Sequence, residues 1–516
     1  MLTVRTFLLT LCVLGLTAPL ACGQAVPSGA GFGMGPPTTP AVVAAADAAV
    51  KEPMPAGPFA PTWDSIKAGY KTPAWFGEGK FGLFMHWGLY AVPAYHNEWY
   101  EKHMYAAFEQ WHATNFGPQE RFGYKDFIPL FKCEKFNADE WALLFKKSGA
   151  KYVVPTAEHH DNFALWDSAV TPINAMKMGP KRDLIGELAA AVRRQGLKFG
   201  VSNHGIENFT FINPNAALAA RLKAAQADLF NPQWAEWYHV ADRSDAACRR
   251  FLTDWVERNI ELIDKYQVDM LWFDNGVNSR TFDPLKLHVA AYYYNRALEW
   301  KKEVSISTKS AAYAPSNRDT EQIGSIVDFE KISNRSPAGI RTGPWQVDHP
   351  IGSTWGYTSD MTVAGPQAIV NNLIDTVSKN GNLLLNLSPM ADGTIPQAQQ
   401  NTLLEVGKWL ETNGEAIYGT HNWTQFVEGS GRNAVHFTVK GQALYAIVGV
   451  PAAGEVVITS LAAGKTGAEK ITGVMMLGRE GALPFAQEAG GLKIQVPANA
   501  GGKYAVCMRI SGLALK

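Results

Sequence analysis

Three short runs hold residues whose types and spacing could do chemistry: Lys80-Phe-Gly-Leu-Phe-Met-His-Trp-Gly88, Asn97-Glu-Trp-Tyr100 and Glu158-His-His-Asp-Asn-Phe163. In these runs apolar residues give way abruptly to His, Glu, Asp and Trp. Strand-like segments that end this way describe a barrel whose strand tips line one polar cavity. Trp beside carboxylates and imidazoles suits a sugar, which has an apolar face and a rim of hydroxyls.

A fourth run, Val268-Asp-Met-Leu-Trp-Phe-Asp-Asn275, puts Asp274 at the exit of a buried strand. A carboxylate there is placed to attack an anomeric carbon and hold a glycosyl ester, or else it caps the turn before Gly276. A second carboxylate is needed as general acid. Ser325-Ile-Val-Asp-Phe-Glu330 offers Asp328 and Glu330 on alternate residues of one strand, with Glu330 further toward the cavity end. Aromatics such as Trp345 or Trp355 would favour the protonated form of such an acid. Asp348, in Trp345-Gln-Val-Asp348, competes for the role, and either Glu330 or Asp348 could instead pair with Lys331 or Arg335. His86, His159 and His160 can each donate to and accept from hydroxyls, and His204 adds a further such ligand. Clustered His also suggests a metal, but adjacent His on a strand diverge and no helix-spaced ligand pair supports one. Glu98 and Trp99 could clamp hydroxyls and stack on a ring, or Trp99 could serve only as core.

The elements that must position these groups alternate. Candidate strands are Phe81–Met85, Tyr152–Thr156, Phe199–Ser202, Met270–Phe273, Val304–Ser307, Ile326–Phe329 and Leu383–Leu387. Amphipathic stretches lie between them: Asn137–Lys147, Leu184–Gln195, Asp245–Tyr266 and Pro366–Lys379. Asn137 and Asp183 read as N-caps, and Gly149, Gly196 and Gly381 follow helix ends. The alternation implies parallel strands with crossover helices, in a barrel or an open doubly wound sheet. No Gly-x-Gly-x-x-Gly turn follows a strand, which counts against a dinucleotide fold, and polar strand ends favour the barrel. After Tyr418 the pattern changes to short β-rich runs between Gly, Ala and Pro turns, read as an antiparallel sandwich that packs against the barrel or, as the lesser option, binds carbohydrate. The expected organisation is a signal at 1–25, an Ala/Pro/Gly-rich flexible linker at 26–57, a (β/α)8-like TIM barrel at 58–420 and a β-sandwich at 421–516. There are no internal repeats.

The bounds agree with an exported enzyme. Arg5, the apolar stretch Phe7–Leu16 and small residues at Ala21-Cys-Gly-Gln-Ala25 read as an export signal. Pro19 and Leu20 make Cys22 a poor lipidation site, and no later segment is apolar enough to span a bilayer. Lys+Arg and Asp+Glu are both 47, so charge gives no reason to expect nucleic acid or an anionic membrane as partner. Cys133, Cys248 and Cys507 have no paired spacing and are expected to be buried and inert.

Taken together, Phe81-Gly-Leu-Phe-Met-His-Trp-Gly88, Asn97-Glu-Trp-Tyr100, Glu158-His-His-Asp161, Gly179-Pro-Lys-Arg-Asp183 and Leu271-Trp-Phe-Asp274 resemble the α-L-fucosidases of glycoside hydrolase family 29. Ser353-Thr-Trp-Gly-Tyr357 and Asn380-Gly-Asn-Leu-Leu-Leu-Asn-Leu-Ser388 extend the resemblance, which covers about residues 60 to 425 in family order. The resemblance implies a barrel, a C-terminal sandwich, no metal or other cofactor, and retention through a covalent intermediate. It implies that Asp274 is the nucleophile, that His86, Glu98, Trp99, His159 and His160 bind the sugar, and that Trp272 lines the pocket. Two departures stand out. Val201-Ser-Asn-His204 replaces a Tyr-x-Ser pattern, and Lys309 stands nearest to where an Arg commonly reaches the nucleophile. The expected site is therefore Asp274 and Glu330 as the catalytic pair, with His86, Glu98, Trp99, His159, His160, His204, Trp272, Lys309, Asp348 and Trp355 around the substrate. The expected partner is a fucosylated glycan. The rivals are an α-L-galactosidase or related deoxy-sugar hydrolase, and a silent sugar-binding protein. In the loop Ile206–Arg243, Trp234, Trp237 and Tyr238 either stack on an extended substrate or pack the loop down.

Overall fold

Eight short strands close into a parallel barrel in chain order: β1 Phe81–Met85, β2 Tyr152–Glu158, β3 Lys198–Asn203, β4 Met270–Phe273, β5 Ser305–Lys309, β6 Ser325–Glu330, β7 Trp345–Pro350 and β8 Asn382–Leu387. β1 pairs with β8 to complete the ring, with Met85 opposite Leu387. The computed structural model describes residues 35–309, 312–315, 322–332, 336–449, 454–465, 470–498 and 502–515. The expected signal segment and Arg335 lie outside them.

Strand alternation decides what fills the barrel. Phe84, Tyr152, Val154, Met270, Trp272, Ile326 and Leu384 form an interior cluster. Glycine makes room for the largest of these: a Cβ on Gly82 would lie 2.4 Å from the Tyr152 ring. Two residues further along the same strand faces stand His86, Asp274, Asp328 and Asn386, so the apolar floor turns polar toward the strands' C-terminal ends.

The helices form where the sequence signals them. Asn137 accepts from the backbone N–H groups of Asp139 and Glu140, and Asp183 from that of Gly186. Gly149 and Gly196 leave these helices with φ of 88° and 73°, a conformation in which Gly carries no steric penalty. β7 was not among the seven expected strands. Gln346, Asp348, His349 and Pro350 hide its β character, yet the barrel needs it to join β6 to β8.

Over its described residues, 35–57, the expected flexible linker is a correction. Pro40–Asp47 is a helix, with Thr39 capping it and Pro at its first turn. Val42, Val43 and Ala46 are buried, the Ala46 carbonyl accepts from Thr253 Oγ1, and Asp47 pairs with His288 Nδ1 at 2.7 Å. Ala is the best helix former, so an Ala-rich run beside an apolar helix face orders there.

The C-terminal residues form two antiparallel sheets. The larger comprises β9 His421–Glu428, β10 Val435–Lys440, β11 Ala443–Gly449, β13 Gly473–Met476 and β16 Ala505–Ser511. The smaller comprises β12 Gly454–Ile458, β14 Phe485–Glu488 and β15 Gly491–Val496. Phe437, Leu444, Val506, Ile458, Leu492 and Ile494 share the core between them, which makes the pair a sandwich. Cys133, Cys248 and Cys507 are free and buried, and burial pushes all three thiols up. Among the described residues, no helix is long and apolar enough to cross a membrane.

Candidate active site

β4 ends at Phe273, and Asp274 begins the turn that follows, with its side chain 18% exposed. Two imidazoles from neighbouring strand ends face it: His160 Nε2 at 3.7 Å and His204 Nδ1 at 3.4 Å from Oδ2. Burial pushes the Asp274 carboxyl up, but contact with His204 and the nearby Lys309 and His160 outweigh it and hold the group well below the usual carboxylate range. Asp274 is thus an anion in a largely enclosed pocket.

Four buried histidines, His86, His159, His160 and His204, cluster at these strand ends. Burial lowers His86, His159, His160 and His204, in each case as the largest effect. Asn386 Nδ2 donates to the Trp355 carbonyl, so Asn386 Oδ1 is the atom that accepts from His86 Nδ1 at 2.7 Å. That fixes the His86 proton on Nδ1 and leaves Nε2 to accept from a hydroxyl. His160 Nδ1 donates to the His204 carbonyl at 3.1 Å, which leaves its Nε2 toward Asp274. His204 Nε2 lies 3.0 Å from Ser202 Oγ, so Ser202 orients that ring. The expectation that His159 and His160 diverge is corrected: β2 ends at Glu158, the two rings lie beyond the pleat, and their centroids are 4.3 Å apart. Two groups, His86 with His159 and His204, and His160 with His204 and Asp274, bring ligand atoms within 4.8 Å of one another. Both claim His204, and His86 and His160 each spend one nitrogen on the protein. The donor pattern matches a polyol, whose hydroxyls each need one lone pair or one proton.

Lys309 stands at the centre of the other carboxylates. Its Nζ pairs with Asp348 Oδ2 at 2.6 Å and lies 5.1 Å from the Trp272 ring centre and 5.9 Å from that of Trp355. Burial lowers the Lys309 ammonium, but Asp348, Asp328, Asp274 and Glu330 together raise it. Asp348 is 2% exposed, and burial raises its carboxyl against the pull of Lys309. Asp328 sits lower in the barrel and accepts from Trp272 Nε1 at 2.7 Å, Gln346 Nε2 at 2.7 Å and the Asp348 N–H at 3.0 Å. Those three bonds occupy Asp328 as a structural acceptor. Glu330 ends β6 opposite Asp348, half-buried, and makes no ion pair among the described residues. Of the three acid candidates, Glu330 alone is both partly exposed and without an ion pair or hydrogen-bonding commitment among the described residues.

The remaining expected ligands close the rim. Glu98 is buried and accepts from the Gly356 N–H at 3.2 Å. Burial raises its carboxyl, the backbone N–H groups and Lys331 oppose this, and Glu330 adds to it. Trp99 is half-buried, edge-on to His160 at 5.9 Å, with Lys102 Nζ 4.7 Å above its ring. Trp355 lies 5.2 Å from His86, and Trp272 forms the floor, 5.1 Å from His204. In the loop after β3, Trp237 and Tyr238 are buried, and Tyr238 donates to Asp228, so both pack the loop down. Sequence reasoning missed Asn386, Ser202 and Glu207. Only Glu207 carried a signal, a carboxylate just beyond a strand end.

Comparison with known proteins agrees with this geometry. Residues 46–415 match the family model described as alpha-L-fucosidase. The chain is 32% identical over 445 residues to the rat tissue alpha-L-fucosidase, covering 83% of this chain and 86% of that protein. It is 33% identical over 384 residues to the human plasma alpha-L-fucosidase, covering 71% and 73%. The crystal structure of Thermotoga maritima alpha-fucosidase in complex with fucose superposes with a TM-score of 0.67 at 31% identity, over 87% of this chain and 99% of that one.

Proposed function

The chain belongs to the α-L-fucosidase family of glycoside hydrolases, and we propose that it is an exported enzyme that removes terminal α-L-fucosyl residues from glycans with retention of configuration. Asp274 attacks the anomeric carbon while Glu330 protonates the departing glycosidic oxygen, giving a covalent fucosyl ester and a free alcohol. Glu330, now a carboxylate, takes a proton from water as that water attacks the same carbon. Asp274 leaves and the sugar is released. His86, His159, His160 and His204 hold the hydroxyls, with Glu98 at the rim. Trp99, Trp272 and Trp355 supply apolar surface for the ring and its methyl group.

The observation that carries this reading is the Asp274 carboxyl at the tip of β4, with two buried imidazoles 3.7 and 3.4 Å away and its pKa held below the usual carboxylate range. Export rests on the N-terminal sequence, with Arg5 before an apolar stretch and small residues around Ala25. Proton NMR of the first-formed sugar tests the stereochemistry. Initial release of α-L-fucose from an aryl α-L-fucoside supports double displacement, and initial β-L-fucose would overturn it.

A further inference from the structure

Beyond β3, residues Gly205–Glu207 form a single 3-10 turn, and beyond β4 residues Asn275–Asn278 form another. The two turns meet directly. A Cβ on Gly276 would lie 2.5 Å from Glu207 Cγ and 2.4 Å from Ile206 Cγ2. Gly276 is needed for this close approach rather than for an unusual backbone angle. The Gly276 N–H also donates to the Glu207 carboxyl. The turn that begins with Asp274 therefore rests on the Glu207 side chain.

Glu207 is 9% exposed and is one imidazole away from the nucleophile. Its Oε2 lies 3.7 Å from His160 Nδ1, while His160 Nε2 lies 3.7 Å from Asp274 Oδ2. The charged and titratable groups that face it are Asp274 from the β4 turn, His204 from the β3 end, His160 from beyond β2, and Lys102 from the helix Tyr100–Met104. None of the steps above uses this carboxyl.

We propose that Glu207 is a positioning residue for the nucleophile, seating the Asp274–Gly276 turn through its uncharged carboxyl group, and that its ionisation misplaces the turn and ends activity on the alkaline side. This rests on the reading of Asp274 as nucleophile. A second anion beside Asp274 is opposed by burial and by the charge of Asp274 itself. Burial, and then Asp274, push the Glu207 carboxyl up to about 8, against His204, the Gly276 N–H and Lys102. The group therefore holds its proton below that pH and loses it above.

The test uses an activated aryl fucoside, whose good leaving group mutes the need for a general acid and so removes the alkaline limb due to Glu330. Glu207→Ala is expected to lower kcat roughly 10- to 100-fold, the effect of a displaced reacting group. KM should change by less than about threefold. Glu207→Gln keeps the shape and the contact to Gly276 but cannot ionise. It is expected to restore most of the lost kcat and to lose the alkaline limb. An Ala variant with full kcat, or a Gln variant that keeps the wild-type alkaline limb, would overturn the proposal. Carbon-13 NMR of glutamate carboxyls in the full chain provides a readout independent of turnover and of the Ala variant's folding. A Glu207 signal, assigned by its loss in Glu207→Gln, that titrates in the ordinary carboxylate range would also overturn it. If Asp274→Ala instead stays active, the catalytic reading fails, whatever the Glu207 titration shows.

Discussion

At the Asp274 carboxyl, burial and the neighbouring groups act in opposite directions, and the neighbours win. Asp274→Ala should lose roughly 10⁴-fold in kcat on a natural fucoside. Azide should restore part of that rate on an activated substrate and yield β-fucosyl azide, because the small anion fits where the carboxylate stood. Near-normal turnover without azide would remove Asp274 from the mechanism. The acid is separable from its neighbours by leaving-group chemistry. Glu330→Ala should slow natural fucosides far more than an activated aryl fucoside, since only a poor leaving group needs the proton. Asp328→Ala should act through stability, because Trp272, Gln346 and the Asp348 N–H would lose their common acceptor. Equal slowing of both substrates in Glu330→Ala, with leaving-group dependence in Asp348→Ala, would move the role to Asp348.

At the scale of the strands, β5, β6 and β7 present Lys309, Asp328, Glu330 and Asp348 to one another, and Lys309 is the buried cation that offsets them. Lys309→Met leaves Asp348 without its partner and should destabilise the fold by about 3–5 kcal/mol in denaturant titration. The same change removes one of the groups that depress Asp274, so the Asp274 carboxyl should titrate at higher pH. Activity needs the anion, so the acidic limb of kcat/KM should move upward. A limb that stays put or moves downward would sink the assignment of Lys309 to the electrostatics of Asp274. The barrel floor makes its own prediction: Gly82→Ala drives a methyl group into the Tyr152 ring and should cost about 1–3 kcal/mol.

At the scale of the whole chain, the helix Pro40–Asp47 is part of the folded body. It lies along Asp245–Tyr266, with Val42, Val43 and Ala46 as its buried face. Cutting the chain after residue 51 should lower stability by roughly 3–5 kcal/mol, the worth of burying two valines and their surroundings. Unchanged denaturant midpoints would refute that role. The sequence alone determined most of the barrel's strand ends and helix starts, because strand ends and helix caps are local. Short continuous apolar runs closing on His, Glu or Asp marked β1, β2 and β4, and Asn137 and Asp183 marked helix starts through their own side chains. The same locality pointed to His86, His159, His160 and Asp274, but not to Asn386, whose partner His86 is distant in the chain, or to Ser202. Tertiary structure decided what depends on partners distant in the chain. β7 is a strand because β6 and β8 flank it, not because Trp-Gln-Val-Asp-His-Pro favours one. The Ala-rich segment is a helix because Asp245–Tyr266 offers it an apolar surface. His159 and His160 converge because β2 stops one residue before them. Asp348 differs from Glu330 because Lys309, 39 residues away, reaches only the former with a salt bridge. Burial, charge pairing and tautomer are properties of neighbours in space, and a local sequence pattern does not contain them.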